Sequence, residues 1–287
     1  MIASVRHYIP LLGFVLPTLV IGYGFVIPRS CIHGVNALSI GFGTTILGAA
    51  LTYAAGVRSA SRTSCPARAA WRRRVAQYIN QQAASPRGLF GHLLARLWTL
   101  EHRKVNRTTL DLLQIESTHR VLELGCGPGW ALREAAAMAT AGHVLGLDVS
   151  ATSLAVARRT NSREIRTGRV SLRQIDGFDL DREAETFDRV FSVHTIYFWK
   201  NPEQVVAQLA RALRPSGRLV LAFRVDSPGI PPRFRDKVYR FYSVAEVESM
   251  LRAVALGDIR VTHADASPGL VWVVAVKTAP DGFRTAG

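Results

Sequence analysis

Apolar and polar positions follow two regimes along this chain. From about residue 115 onward, short apolar runs that end at glycine or acidic residues alternate with stretches whose apolar positions recur at helical spacing. That order predicts strands and helices in alternation, an α/β fold. Val121–Leu124 and Val144–Leu147 predict the first two strands, with an alanine-rich helix over Ala131–Ala139 between them. Val170–Ile175 predicts a third strand and Thr186–Ser192 a fourth. Asn201 then offers an N-cap to a helix opening at Pro202, whose Val205, Val206, Leu209, Ala212 and Leu213 share one face. Arg214–Gly217 stops that helix and Arg218–Phe223 predicts the fifth strand. Ser243 with Glu246 forms a capping box ahead of a helix striped by Val247, Met250, Leu251 and Val254. Ile259–Thr262 and Leu270–Val276 are expected to close the sheet as an antiparallel pair.

The N-terminal regime differs. Ile9–Ile27 is nineteen residues without a charge, and Ile32–Val57 is twenty-six without Lys, Arg, Asp or Glu. Each is near or above the roughly 20 residues that cross a bilayer as a helix, so the pattern predicts a two-helix transmembrane hairpin. A second apolar segment argues against a cleaved leader, although two glycine-rich core helices are an alternative to spans. The second segment runs into Arg58, Arg62, Arg68, Arg72, Arg73 and Arg74. Arginine accumulates on the cytoplasmic side, which puts both ends of the chain inside and the turn outside. Trp71–Ala84 predicts an interfacial helix, and Leu89–Leu113 a cap carrying His102 and Asn106 as polar candidates. The expected organisation is a hairpin over 1–57, a basic segment over 58–84, an α/β domain over 85–278 and a tail over 279–287.

Charge sharpens this division. Residues 1–57 hold two basic side chains and no acid, residues 58–107 eleven against one, and the remainder twenty-three against twenty. Two thirds of the net +15 therefore sits in residues 58–107. Anionic lipid head groups attract such a segment by about 1 kcal/mol per basic residue, whereas no recognisable nucleic-acid motif accompanies it. Nucleic acid is not an expected partner, and the sequence is silent on oligomeric state. Cys31, Cys65 and Cys126 show neither metal spacing nor a paired framework, so no metal is expected.

The candidate chemistry lies at residues 121–130, Val-Leu-Glu-Leu-Gly-Cys-Gly-Pro-Gly-Trp, followed by Asp148 at the end of the second strand. Strand, glycine turn, helix, strand and terminal acid describe a nucleoside site at the carboxyl ends of an open sheet. A dinucleotide loop would carry a third glycine where this chain has Trp130, and Glu123 is ill-suited to a pyrophosphate. The loop, Gly-Leu-Asp-Val-Ser at 146–150, Asp176-Gly177 after the third strand, Phe187-Asp188-Arg189-Val190 and Arg214-Pro215-Ser216-Gly217 occur in one order. In that order they resemble class I S-adenosylmethionine-dependent methyltransferases of the type 11-like group, over roughly residues 85–277.

The resemblance implies a Rossmann-like, seven-stranded, mostly parallel sheet with an antiparallel last strand, and S-adenosylmethionine as cofactor. It implies that Asp148, with Val149 beside it, meets the ribose, and that Gly125, Cys126, Gly127 and Gly129 pass the methionine portion. Glu123 would order that loop or meet the amino group, and Asp176 and Gly177 would hold the adenine. His194 would face the methionine end as a base, a positioning group or a packing residue, with Tyr197, Phe198 and Trp199 walling the acceptor or packing the next helix. The acceptor is expected to be a small molecule or a lipid-like compound at a membrane face. The alternative is a non-catalytic membrane sensor or scaffold that retains the cofactor fold.

Overall fold

A computed structural model describes residues 66–88, 102–175, 184, 186–226, 237–265, 267 and 269–278. The two apolar segments at 9–27 and 32–57, and the tail over 279–287, lie outside the described residues. Among the described residues, no helix is long and apolar enough to cross a membrane.

The elements in chain order are α1 (Pro66–Ala84), α2 (Arg103–Leu113), β1 (Arg120–Leu124), α3 (Trp130–Met138), β2 (His143–Asp148), α4 (Ala151–Thr160), α5 (Ser162–Arg166) and β3 (Val170–Gln174). They continue with β4 (Phe187–Val193), a 3-10 turn (Ile196–Phe198), α6 (Pro202–Ala212), β5 (Leu213–Arg224), α7 (Val244–Arg252), β6 (Leu256–His263) and β7 (Leu270–Lys277). Contacts divide the chain after Tyr78, within α1.

Seven strands form one sheet in the order β3-β2-β1-β4-β5-β7-β6. β1 to β5 run parallel, and β7 is antiparallel to both of its neighbours, as the sequence pattern predicts. Chain order reverses at β1, where β2 lies on one side and β4 on the other. A crevice opens at such a point above the strand carboxyl ends.

Period-two alternation explains the two cores. Leu122 and Leu124 face the layer formed by Val205, Val206 and Leu209 of α6 and Val247 and Leu251 of α7. Val121 faces the opposite layer, with Leu110 and Leu113 of α2, Leu132 and Ala135 of α3 and Leu154 of α4. β5 repeats the pattern, sending Leu219, Leu221 and Phe223 one way and Val220 and Ala222 the other. Both faces are covered, which is why the parallel strands read as apolar runs.

Polar anchors set the helices on the sheet. Trp272 Nε1 of β7 donates to Thr109 Oγ1 of α2 at 3.0 Å, inside the core. Arg189 Nε and Arg218 NH1 donate to the Leu113 and Leu112 carbonyls at 2.7 and 2.9 Å. Those carbonyls end α2, where a cation is favourable. Asp188 accepts from the Arg120 backbone N–H at 2.7 Å and from Arg214 at 3.0 Å, joining β4 to the start of β1 and to β5. Three local expectations need correction. Asn201 makes no side-chain cap, and Pro202 alone carries the start of α6. β5 begins at Leu213, directly after the helix, because Leu213 pairs with Phe187 before the register shifts. α7 ends at Arg252, so Val254 of the expected stripe lies beyond it.

Candidate active site

Three adjacent strand ends build the site. β2 delivers Asp148, β1 delivers Glu123 and the glycine loop, and β4 leads into His194. Neighbouring strands are roughly 5 Å apart, so the groups line up across about 10 Å in the order Asp148, loop, His194. They border one cavity of about 710 Å³, whose lining also includes Ala84, Pro86, His102, Asn106 and Trp130.

The loop is held tightly. Gly125 N and Cys126 N donate to the Leu147 carbonyl at 2.7 and 3.0 Å, folding β1's exit over β2. Gly125 has φ +75°, and a Cβ there would overlap the Thr195 Cγ2 methyl. Only glycine meets both demands. Gly129 acts elsewhere. It precedes α3 at φ +78°, and a Cβ would meet Asn161 Nδ2 at 2.5 Å and Ala157 Cβ at 2.9 Å. It lies behind the loop, packing α3 against α4, and is absent from the cavity lining.

Asp148 is 7% exposed. One carboxylate oxygen accepts from Gly127 N–H at 2.8 Å and the other from Ser150 N–H at 2.8 Å. Burial raises its pKa, and the N–H groups of Ser150, Gly127 and Val149 oppose that rise. Each oxygen keeps acceptor capacity, since an ionised carboxylate offers about four lone-pair sites. Ser150 itself caps α4 through Ser153 N–H at 3.1 Å and donates to the Pro86 carbonyl at 2.6 Å, tying the segment after α1 to the rim.

Glu123 is 4% exposed, and its Oε2 has no hydrogen-bond partner among the described residues. Burial lifts its carboxyl well above the usual range, and Asp148 adds to the rise. A buried acceptor with no protein partner calls for a ligand donor. Cys126 is buried, and burial, then Glu123 and Asp148, pushes its thiol up, so it stays a neutral packing group. Val149, 45% exposed, and Ile175 give the Asp148 end of the cavity two apolar walls. Asp176 and Gly177 lie outside the described residues.

His194 is half-buried at φ +57°. Its Nδ1 lies 3.1 Å from Tyr197 Oη and its ring centroid 4.8 Å from that of His102. Burial, then His102 and Arg224, holds it well below the ordinary histidine range, so it is neutral at pH 7. Phe198 and Trp199 line the cavity, whereas Tyr197 stands behind His194, packed on Tyr239 and Phe241. Sequence reasoning missed Thr195 beneath Gly125 and the Ser150–Pro86 tie. Neither residue type is distinctive, and each matters only through a fold contact. Trp130, which stands where a dinucleotide loop has glycine, is also a wall of the cavity, with Arg107 lying over its ring at 5.9 Å.

A family model described as a methyltransferase domain matches residues 122–221. Residues 122–221 are therefore similar to a methyltransferase domain. Outside that segment the likeness is partial. The methyltransferase GfsG of Streptomyces halstedii is 36% identical over 116 residues, covering 39% of this chain and 40% of that protein. An O-methyltransferase of Pyrenophora dematioidea is 26% identical over 162 residues, covering 56% and 59%. The chain thus spans about half the length of these two relatives. The fold matches that of Haemonchus contortus phosphoethanolamine N-methyltransferase 2 in complex with phosphomonomethylethanolamine and S-adenosylhomocysteine. That match has a TM-score of 0.54 and 19% identity, and covers 66% of this chain and 58% of that one. The residues around the cavity fit S-adenosylmethionine: Asp148 has acceptor capacity for two ribose hydroxyls, and Glu123 Oε2, without a partner among the described residues, can accept from an ammonium.

Proposed function

We propose that this chain is an S-adenosylmethionine-dependent methyltransferase acting on a small molecule. One observation carries the reading: an unpartnered Glu123 oxygen and a doubly braced Asp148 lie in one cavity, on neighbouring strands around a loop that only glycine can form. Asp148 would hold the ribose hydroxyls, Glu123 the amino group, and the Gly125–Gly127 backbone the chain between them. The cofactor supplies a sulfonium-activated methyl group. The protein's task is to orient a nucleophile at about 3–3.5 Å from that carbon and to exclude water. His194, at the β4 end, lines the cavity across the loop from Asp148, and we assign that side to the acceptor.

We place the catalytic domain at the cytoplasmic face of a membrane, held by the segments at 9–27 and 32–57 and by the arginines that follow them. What supports this is the charge-free length of those segments and the +10 balance of residues 58–107. Tethering favours a lipophilic acceptor. Incubation of the full chain with methyl-labelled cofactor and fractionated cell extract tests both points. Label in the organic phase supports a lipid-like acceptor, and label confined to the aqueous phase removes that idea. A sensor or scaffold without catalysis predicts cofactor binding with no label transferred to any fraction.

A further inference from the structure

The acceptor side of the cavity has a chemistry of its own. Its carboxylates among the described residues are Glu123 and Asp148, both at the cofactor end. His102 lies beside His194, its ring centroid 4.8 Å away, and the lining also offers Asn106, Lys200, Asn201 and Gln204. Among the described residues an ammonium acceptor would find no countercharge there. An oxyanion would find donors and a lysine, and it would also be drawn to a sulfonium.

The hydrogen bonds behind His194 decide which donor it presents. Tyr197 Oη accepts from the Arg224 backbone N–H at 2.5 Å. Its own proton then has His194 Nδ1, at 3.1 Å, as its partner among the described residues. The opposite tautomer would strand a phenol proton in a site where Tyr197 is 7% exposed. With Nδ1 accepting, the imidazole hydrogen sits on Nε2. His194 lines the cavity and Tyr197 does not, so with Nδ1 turned to Tyr197 we take the Nε2 edge as the one facing the cavity; Nε2 has no hydrogen-bond partner among the described residues.

We propose that the methyl acceptor is an acidic hydroxyl, a phenol or enol bound as its oxyanion, held by the Nε2–H of His194, with Tyr197 as the positioning residue that fixes this tautomer. The proposal rests on the methyltransferase reading and deepens it. The acceptor releases its proton to solvent before it binds. Its oxygen lone pair forms the C–O bond as the C–S bond breaks, and that electron pair stays on sulfur. His194 therefore donates a hydrogen bond and removes no proton. The charged and titratable groups facing it are Tyr197, His102, Arg224 and Lys200, with Glu123 and Asp148 across the cofactor end.

The test uses the full chain with methyl-labelled S-adenosylmethionine and four probes: 4-nitrophenol, phenol, benzyl alcohol and benzylamine. The expected order at pH 7.5 is 4-nitrophenol above phenol, with neither the alcohol nor the amine labelled. His194→Gln keeps an N–H donor but cannot act as a base, and it should retain several-fold more activity than His194→Ala. His194→Ala should fall at least about tenfold, the loss of one hydrogen bond to a charged group. Tyr197→Phe should raise the KM for 4-nitrophenol several-fold with S-adenosylhomocysteine affinity unchanged. Preference for the amine or alcohol, no labelling of any probe while S-adenosylhomocysteine binds, or a His194→Gln variant as inactive as His194→Ala would each overturn the proposal. Absence of S-adenosylhomocysteine binding would remove the methyltransferase reading as well.

Discussion

Gly125→Ala isolates the tightest point of the cofactor loop, and its cost can be worked from two separable causes. The first is conformational: at φ +75° an L-residue costs about 1–2 kcal/mol. The second is steric, because the new Cβ would overlap Thr195 Cγ2; forcing an extra carbon into a packed site costs about 1–3 kcal/mol. Together, about 2–5 kcal/mol opposes the closed loop, and cofactor affinity falls by the fraction of chains still able to close it. That corresponds to a loss of roughly 30-fold to several thousand-fold in S-adenosylhomocysteine affinity. Thr195→Ser deletes the methyl and keeps the hydroxyl that pairs with Ser192. Alone it should bind almost as wild type does. In the double variant the Cβ at position 195 stays 3.2 Å from the new methyl, a contact that a small shift relieves, so mainly the backbone cost remains. Affinity should then recover to within about 5–30-fold of wild type. Titration calorimetry on the four proteins closes a double-mutant cycle with a favourable coupling between the two changes. Wild-type affinity in Gly125→Ala, or no recovery in the double variant, would refute this account of the loop.

Other consequences follow from the same geometry. Asp148→Asn turns an amide toward a backbone N–H and removes charge from the ribose contacts. It should cost about 10- to 100-fold in S-adenosylhomocysteine affinity, with an unchanged circular dichroism spectrum. Glu123 is an acid whose folded pKa lies above its unfolded value. Its contribution is fully present below the unfolded pKa near 4.5 and is lost as pH rises through the raised one. Glu123→Gln should therefore flatten that decline in thermal melts without cofactor, raise the melting temperature at pH 8 and weaken cofactor binding. Asp188 behaves oppositely. Burial alone would raise its pKa, but the Arg120 N–H and Arg214 outweigh it and hold the pKa below 3.8. Its stabilisation is present above the unfolded pKa and lost as pH falls through the folded one, so Asp188→Ala should weaken melting at pH 7 more than at pH 3.

Much of the sheet was legible because strands covered on both faces must be apolar, and Val121–Leu124, Val144–Leu147 and Leu270–Val276 are. The Ser243–Glu246 capping box was equally readable, since both hydrogen bonds lie within four residues and form as expected. Asn201 resembled a cap by the same rule, yet no side-chain cap bond forms, since the rule sees the residue type and not its backbone angles. At the site, the apolar runs placed Glu123 and Asp148 at strand ends, and the family resemblance singled out His194 after the fourth strand. Thr195 and Pro86 were not, and for Tyr197 only its place near the acceptor end was. Each acts through a contact with a residue already placed, beneath Gly125, against Ser150 or behind His194, and such contacts exist only once the chain is folded. Arg189 and Arg218 were hidden for a related reason: they cap the carbonyls of α2, more than 70 positions away.

Titration of residues 1–287 with S-adenosylhomocysteine by calorimetry, beside Asp148→Ala at equal concentration, tests the central claim most directly. Saturable one-to-one binding with a micromolar dissociation constant in the wild type, lost in the variant while its circular dichroism spectrum is unchanged, is the predicted result. No saturable heat from the wild type, or equal affinity in Asp148→Ala, would contradict it.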